Sequence, residues 1–468
     1  MEYSPFDENQ NLSLSKFESM LKTNDILFFD SNEFENIIHH YLEIGKIALA
    51  KKAIKLGLSQ HPTSTNLKLF QIEVLVFENN LDKANEYLNA LHEIEPSNEE
   101  VYIQKANILS KKDKHLDAVG ALKTALSFAE DTAEIYSLIG MEYLFLDQFE
   151  EAKTYFMYCL DADYEDYSAL YNVIYCFDFL EQNDEAIEYL NSYLNKNPYC
   201  EVAWHQLGKQ YFTKKEYKKA IASFDFAIIS DDTFIGAYLE KGKVLEKQKH
   251  YEEAIENYKI TLALDDPTSF ALLRIGHCYE KLNYNDLALH YFDQTTQEDP
   301  LLDKGWIAIT NYYNKQQNYQ KALYIINNAI SIDSENVVYW KLYAQINHRL
   351  NFLEEAEQGY KKALELGNYE LDTWLSRTDI LIHLGEYESA ILNLNQTIEF
   401  YPDNEEIEFR LAGLYFATNN GNQGYLYLES ALKTNSDYDF IVEELFPNIY
   451  QRQSVQKIIQ KYKNTNEE

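Results

Sequence analysis

The chain has 468 residues, with 41 lysines and arginines against 76 aspartates and glutamates, a formal charge of −35 at pH 7. So acidic a composition argues against broad affinity for nucleic acid or an anionic membrane. No stretch approaches the roughly 18 apolar residues that membrane insertion requires. Residues 1–12 are polar and acidic and read as a mobile tail; they show no basic region followed by an apolar run, so no secretory signal is expected. Residues 13–30 read as an N-terminal cap. Ser15 and Glu18 have the spacing of a capping box, opening a short helix with Phe17, Met20 and Leu21 on one side. Ile26, Leu27, Phe28 and Phe29 follow, apolar enough to be buried. A docking peptide for another protein is the alternative for this segment.

From residue 31 a period of 34 residues sets in, clearest over 201–232. Trp204, Leu207, Gly208 and Tyr211 recur at helical spacing, so they share one face of a first helix. A second helix, from about Tyr217 to Ile229, offers Ala220, Phe224 and Ala227 on one face. Stepping by the period from Ala220 meets Ala50, Ala84, Ala118, Ala152, Ala186, Ala254, Ala288, Ala322, Ala356 and Ala390, then Gly424. A small residue at unbroken spacing marks a close helix crossing, which a larger side chain would push apart. The column of Trp204 holds all 4 tryptophans of the chain. The column of Phe224 is apolar or aromatic throughout. Pro62, Pro96, Pro198, Pro267, Pro300 and Pro402 fall at the seams, where proline ends one helix before the next begins.

These residues resemble the tetratricopeptide repeat (TPR), whose pattern of tryptophan, leucine, glycine, tyrosine, alanine and phenylalanine they follow. The resemblance implies an all-α, right-handed superhelical solenoid of twelve repeats over 31–438, with helical caps at 13–30 and 439–468. The first three repeats diverge most: Lys68 stands in the tryptophan column, and Ile38 and Ile72 replace the small residue of the Gly208 column. Repeat twelve also weakens, with Glu408 in the tryptophan column and Gly421 and Gly424 in its second helix. Beyond it, 439–446 starts a helix that Pro447 breaks, and 451–463 is amphipathic. Its apolar side carries Val455, Ile458, Ile459 and Tyr462; its other side carries Arg452, Lys457, Lys461 and Lys463. This last helix reads as a cap, or as a basic docking helix for an acidic partner.

Catalytic and cofactor motifs are missing. No phosphate-binding glycine loop, HExxH or nucleophile elbow is present, and adjacent His39 and His40 point to different sides of a helix. Cys159, Cys176, Cys200 and Cys278 form no CxxC pair and suit a reducing compartment as packing residues. Few residues lie outside the array, too few for a catalytic domain. The expectation is a non-enzymatic cytoplasmic scaffold or adaptor without cofactor or metal, its oligomeric state left open. A helical-repeat RNA binder and a permanent subunit of a larger assembly are the rivals; the acidic charge and the lack of a regular pair of base-reading columns speak against the first.

The family implies a concave groove lined by the first helices, in which the columns of Val202, His205, Lys209, Phe212 and Thr213 are left partly free. Over repeats four to six these columns carry Met141, Leu144, Phe145, Tyr171, Tyr175, Phe179, His205 and Phe212, side chains suited to anchoring a partner or to packing between helices. Over repeats six to ten they carry Lys209, Lys243, Lys247, Lys281, Lys304, Lys315, Lys341 and Arg349 against only Glu246 and Glu280. Repeats one to five reverse that ratio, with Lys111 against Glu35, Glu43, Glu73, Glu100, Glu134 and Asp178. A cation at the end of a helix is also favoured by the helix dipole, which accounts for Lys247, Lys281, Lys315 and Arg349 but not for the others. Arg274, Lys304 and Asn311 offer groups similar to the carboxylate clamp of some TPR proteins. The expected partner is a protein or peptide segment, extended or helical, with apolar anchors followed by acidic residues.

Overall fold

A computed structural model describes residues 5–23, 27–264 and 268–465, and every regular element among them is a helix. The chain forms two units, Met1–Asp232 and Thr233–Glu468. In the first unit the first helices of successive pairs open at Ser31, Thr65, Glu99, Ala133, Tyr167 and Glu201, and the second helices at Ile47, Leu81, His115, Phe149, Asn183 and Tyr217. In the second unit they open at Ile235, Ser269, Asp303, Val337, Leu371 and Glu405, and at Tyr251, Asn285, Tyr319, Leu353, Tyr387 and Gly421. The 34-residue sequence period is thus reproduced helix by helix.

Packing explains the columns. Every alanine in the Ala220 column is 0% exposed, because the two helices of a pair cross at that point. One turn away, Gly140, Gly208, Gly242 and Gly276 lie under the rings of Phe156, Phe224, Tyr258 and Phe292. A Cβ added to any of them would come within 2.5 to 2.7 Å of a ring carbon. Where this column holds a larger residue, as in Ala106, Ile174 and Ala412, the facing column carries Leu122, Leu190 and Leu428 in place of a ring. Ala344 with Tyr360 breaks the rule, and there the preceding Gly359 supplies the room: a Cβ on it would lie 2.9 Å from Ala344 Cβ. Volume is therefore conserved pair by pair, as a close-packed interior demands.

The turn inside each pair is set by backbone geometry. One residue per repeat, from Gly45 and Asn79 through Lys215 and Lys249 to Gly385 and Asn419, is left-handed with φ between 55° and 78°. In repeat six, Lys215 N–H donates to Phe212 O at 2.9 Å and Glu216 N–H to Tyr211 O at 2.8 Å, satisfying the last carbonyls of the first helix. The seams between pairs are tied by the aromatic column. Trp204 Nε1 donates to Pro198 O at 2.8 Å, and Trp306, Trp340 and Tyr102 reach Pro300, Ser334 and Pro96 carbonyls at 2.9 Å. This polar reach is why Trp and Tyr suit the column better than Phe.

At the N-terminal end, a helix spans Pro5–Thr23, so its start lies inside the segment expected to be a mobile tail, and Ser15 is interior to it. Proline at the first helical position forfeits no hydrogen bond there, which permits the earlier start. Phe17 and Met20 are buried, Phe17 against Phe29 and Tyr41 with ring centroids 6.1 Å from each, while Leu21 is exposed. Of the expected buried run only Phe29 is covered; Leu27 and Phe28 face solvent, and Ile26 lies outside the described residues. The capping box falls further along, where Asp30 N–H donates to Glu33 Oε2 at 2.9 Å and opens Ser31–Glu43.

After repeat twelve come a 3₁₀ turn, Ser436–Asp439, and three helices, Phe440–Leu445, Pro447–Tyr450 and Gln453–Thr465. Phe446 sits on Gly413, a groove-column position in the first helix of repeat twelve, so a side chain there would collide with the ring. Val455 and Ile459 are buried, and Lys463 leaves the basic outer face to bind Asp439 at 2.8 Å.

Candidate protein-binding faces

In the first unit the groove columns place four rings on the surface of repeats four and five: Phe145, Tyr171, Tyr175 and Phe179, between 42 and 59% exposed. Three of them are propped by neighbouring rings. Phe179 stacks on Phe149 with centroids 3.7 Å apart, Tyr175 tilts against the same ring at 6.2 Å, and Phe145 stacks on His115 at 5.2 Å. His115 is itself held by Glu142, Nδ1 to Oε2 at 2.8 Å. Rings held upright by other side chains lose little freedom on binding. Met141 and Leu144 are half-buried against the core. Phe212 is half-buried beside Tyr217, with ring centroids 6.0 Å apart, and Lys209 is half-buried too. His205 is a correction: at 9% exposure its ring lies 5.8 Å from Phe224 and belongs to the packing. Its column holds Leu69, Ile103 and Leu273 in other repeats, all buried, so the position is interior more often than surface.

The basic stripe in the second unit is weaker than its columns suggest. Lys243 pairs with Glu240 at 2.6 Å and lies over the Phe270 ring. Arg274 grips Glu246 with two nitrogens, Nε at 2.8 Å, while Tyr258 donates to the same carboxylate at 2.6 Å. Arg274 is therefore committed inside the array and is not available for the expected clamp. Lys315 binds Glu280. Burial disfavours the carboxylate charge of Glu280, but Lys315 and His277 outweigh it and its pKa is lowered. Lys341 binds Glu370 at 2.5 Å and Asp372 at 3.3 Å; burial opposes its charge, the two acids outweigh burial, and its pKa is raised. The acids come from the next repeat or from columns outside the groove set, so a count along the groove missed Glu240, Glu370 and Asp372. Lys247, Lys281, Lys304 and Arg349 stay exposed and make no ion pair among the described residues. Asn311 is half-buried. A cavity of about 770 Å³ is lined by Asn314, Lys315, Gln345, His348, Arg349 and Asp372, among others.

All four cysteines are buried and unpaired with one another. Burial pushes the thiols of Cys159 and Cys278 up to about 12 and Cys176 up to about 11, so they stay protonated and inert at neutral pH. No group of three His, Cys, Asp or Glu side chains among the described residues could hold a metal ion. No helix among them is long and apolar enough to cross a membrane.

An uninterrupted run of helix pairs at a 34-residue period, closed by an alanine crossing and a left-handed turn, defines a helical-repeat array. The tetratricopeptide-repeat family model matches residues 133–166 and 235–259, the fourth and seventh pairs, and the chain is a tetratricopeptide-repeat protein. Among curated proteins it is similar to anaphase-promoting complex subunit 3 of Schizosaccharomyces pombe, 27% identical over 153 residues, 33% of this chain and 23% of the relative. It is also similar to anaphase-promoting complex subunit 7 of Dictyostelium discoideum, 23% identical over 261 residues, 53% of this chain and 37% of the relative. The chain thus spans well under half the length of either. Among solved structures, the APC/C hetero-tetramer Cut9–Hcn1 aligns with TM-score 0.36 and 12% identity over 90% of this chain and 94% of that one. MamA aligns with TM-score 0.32 and 19% identity over 36% of this chain and 91% of that one.

Proposed function

We propose that this chain is a protein-interaction scaffold whose first-helix faces hold an extended or helical segment of a partner. The observation that carries this is the group of exposed rings Phe145, Tyr171, Tyr175 and Phe179 on consecutive repeats of the first unit. Aromatic groups gathered on a solvated surface act as anchors for apolar side chains. In the second unit the exposed cations Lys247, Lys281, Lys304 and Arg349 favour acidic residues. With Lys243 and Lys315 already paired, the stripe contributes through the charges left over, by speeding encounter with an anionic segment.

The test needs one partner, obtained by affinity capture, and titrations at low and high salt. Tyr171→Ala with Tyr175→Ala is expected to weaken binding at every salt concentration, because burial of apolar surface is not screened. Neutralising Lys247, Lys281, Lys304 and Arg349 together is expected to weaken it at low salt only. Equal affinity of wild type and the tyrosine pair would remove the aromatic face from the function. A second reading, a permanent subunit of a larger assembly, is favoured by the relatives, both named as subunits of one complex. Co-purification that survives high salt would select it.

A further inference from the structure

The first unit carries a second surface feature, one to three repeats before the aromatic rings. A cavity of about 260 Å³ is lined by Glu35, Glu73, Glu100 and Gln104, with Asn66 and the ring of Phe70 completing its wall. Glu35 accepts from Ser31 Oγ at 3.1 Å and from Asn66 Nδ2 at 3.0 Å. Glu100 accepts from Gln104 Nε2 at 2.9 Å, and no hydrogen-bond donor among the described residues reaches Glu73. No lysine or arginine among the described residues forms an ion pair with any of the three acids, although the chain's other clustered carboxylates commonly have one.

Gln104 supplies an independent observation. It is only 5% exposed, its amide nitrogen is committed to Glu100, and its Oε1 has no hydrogen-bond partner. A buried carbonyl oxygen without a donor is rare in a native interior and calls for one. The acids around it have no lysine or arginine partner among the described residues. Partial burial and the negative charges of Glu100 and Glu134 raise the pKa of Glu73 against the opposing charge of His39, and its side chain still reaches solvent. Burial raises Glu100 despite the hydrogen bond from Gln104, and Glu134 of the next repeat adds to it. With His39 the one cationic group acting on Glu73, and with no donor reaching Glu73 or Gln104 Oε1 among the described residues, the site has room for a further cation carrying N–H groups.

The missing group can be specified. The carboxylates are not gathered closely enough to ligate one metal ion. They suit a cation that spreads several N–H donors, and Phe70 and buried Leu69 offer an apolar wall for a methylene stem. We propose that this cavity is a recognition site for the arginine or lysine side chain of a basic protein segment. The site rests on the scaffold function only in drawing its occupant from a protein; the aromatic rings take no part in it.

The probe is a rhodamine-labelled heptapeptide of glycine and serine carrying two arginines, followed by fluorescence anisotropy with the full chain. Its two-citrulline counterpart, which keeps the shape and loses the charge, and free spermidine as competitor form the other arms. The wild type is expected to bind the arginine peptide at least tenfold more tightly than the citrulline one. Glu73→Gln with Glu100→Gln is expected to abolish that preference, and Gln104→Met to reduce it severalfold. Glu86→Gln, which removes one surface charge away from the cavity, is expected to retain it. Circular dichroism melts keep the outcome interpretable, because the carboxylate variants are expected to be at least as stable as the wild type. Equal binding of the two peptides, or an arginine preference that survives in the double variant, overturns the proposal. Displacement by spermidine at concentrations as low as those of unlabelled peptide would overturn the assignment to a protein segment. None of these results depends on Tyr171 or Tyr175, so this site and the aromatic face fail separately.

Discussion

Replacing Gly276 by alanine isolates the rule that pairs a glycine with a ring. Alanine in place of glycine inside a helix ordinarily stabilises by about 0.5–1 kcal/mol, because glycine loses more backbone freedom on folding. Gly120 measures that gain alone: it lies inside the helix His115–Ala125, and a Cβ there would meet nothing within 4 Å. At Gly276 the same Cβ would sit 2.5 Å from Phe292 Cδ1 and Cε1 and 3.3 Å from the backbone oxygen of Ala288. Ordinary carbon contacts lie near 3.5–4.0 Å, so the ring must retreat by roughly 1 Å. Phe292 is 1% exposed and has nowhere to go. Overpacking of this kind costs about 1–3 kcal/mol, so Gly276→Ala should destabilise where Gly120→Ala stabilises. Adding Phe292→Leu should recover part of the loss, because Ala106 with Leu122 and Ala412 with Leu428 already use that combination. Urea and thermal melts by circular dichroism of the single and double variants complete the cycle, with an expected favourable coupling of about 0.5–3 kcal/mol. If Gly276→Ala stabilises as much as Gly120→Ala, the glycine column is not there to admit the ring.

Gly385, with φ of 78°, closes the turn of repeat eleven, and Gly385→Val should cost about 1–2 kcal/mol in the same melts because a branched side chain resists left-handed backbone. Removing residues 439–468 should uncover Gly413 and the apolar face of repeat twelve, lowering the melting temperature and promoting association visible by light scattering. A truncated chain that stays monomeric and equally stable would mean that the C-terminal helices are not a cover.

The periodic part of the fold was legible because one constraint repeats. The Ala220 column, the helix starts and the seam prolines report the same crossing again and again, so a single aberrant residue does no damage. What was not legible depends on contacts between columns or on backbone conformation. Glu181, Lys215, Lys249 and Gln317 have no special preference for the left-handed region, yet each adopts it because the helix end requires it. Arg274 looked available because its partner Glu246 lies 28 residues away, in the preceding repeat. The polar sequence of 1–12 hid a helix that begins at Pro5. His205 looked like groove because its column mixes buried leucines with Tyr171 and Lys341, and only the packed structure separates them. Glu35, Glu73 and Glu100 were visible as a charge ratio, but nothing in the sequence marked Gln104 as the buried group beside them.

The acidic cavity makes a pH prediction whose sign is fixed by its cause. Burial and the charges of Glu100 and Glu134 raise the pKa of Glu73 against the opposing charge of His39, and burial with the charges of Glu134 and Glu99 raises that of Glu100, so the folded state prefers both protonated relative to the unfolded chain. A carboxylate raised in this way imposes no penalty below the ordinary glutamate value of 4.5. The penalty grows as pH climbs from there through the raised value, and is constant above it. Glutamine is neutral at every pH, so Glu73→Gln removes the repelling charge wherever Glu73 is ionised. It should therefore stabilise the protein at pH 7, and the advantage should shrink as pH falls toward 4. Because the carboxylate reaches solvent, the gain should not exceed about 1 kcal/mol. Melting temperatures of the variant and wild type at pH 4, 5, 6 and 7 give the comparison, with Glu86→Gln controlling for loss of one surface charge. A variant less stable than wild type at pH 7, or one whose advantage persists unchanged at pH 4, would show that the charge on Glu73 is already compensated within the chain. In that case the cavity would have no deficit of positive charge for a partner to fill.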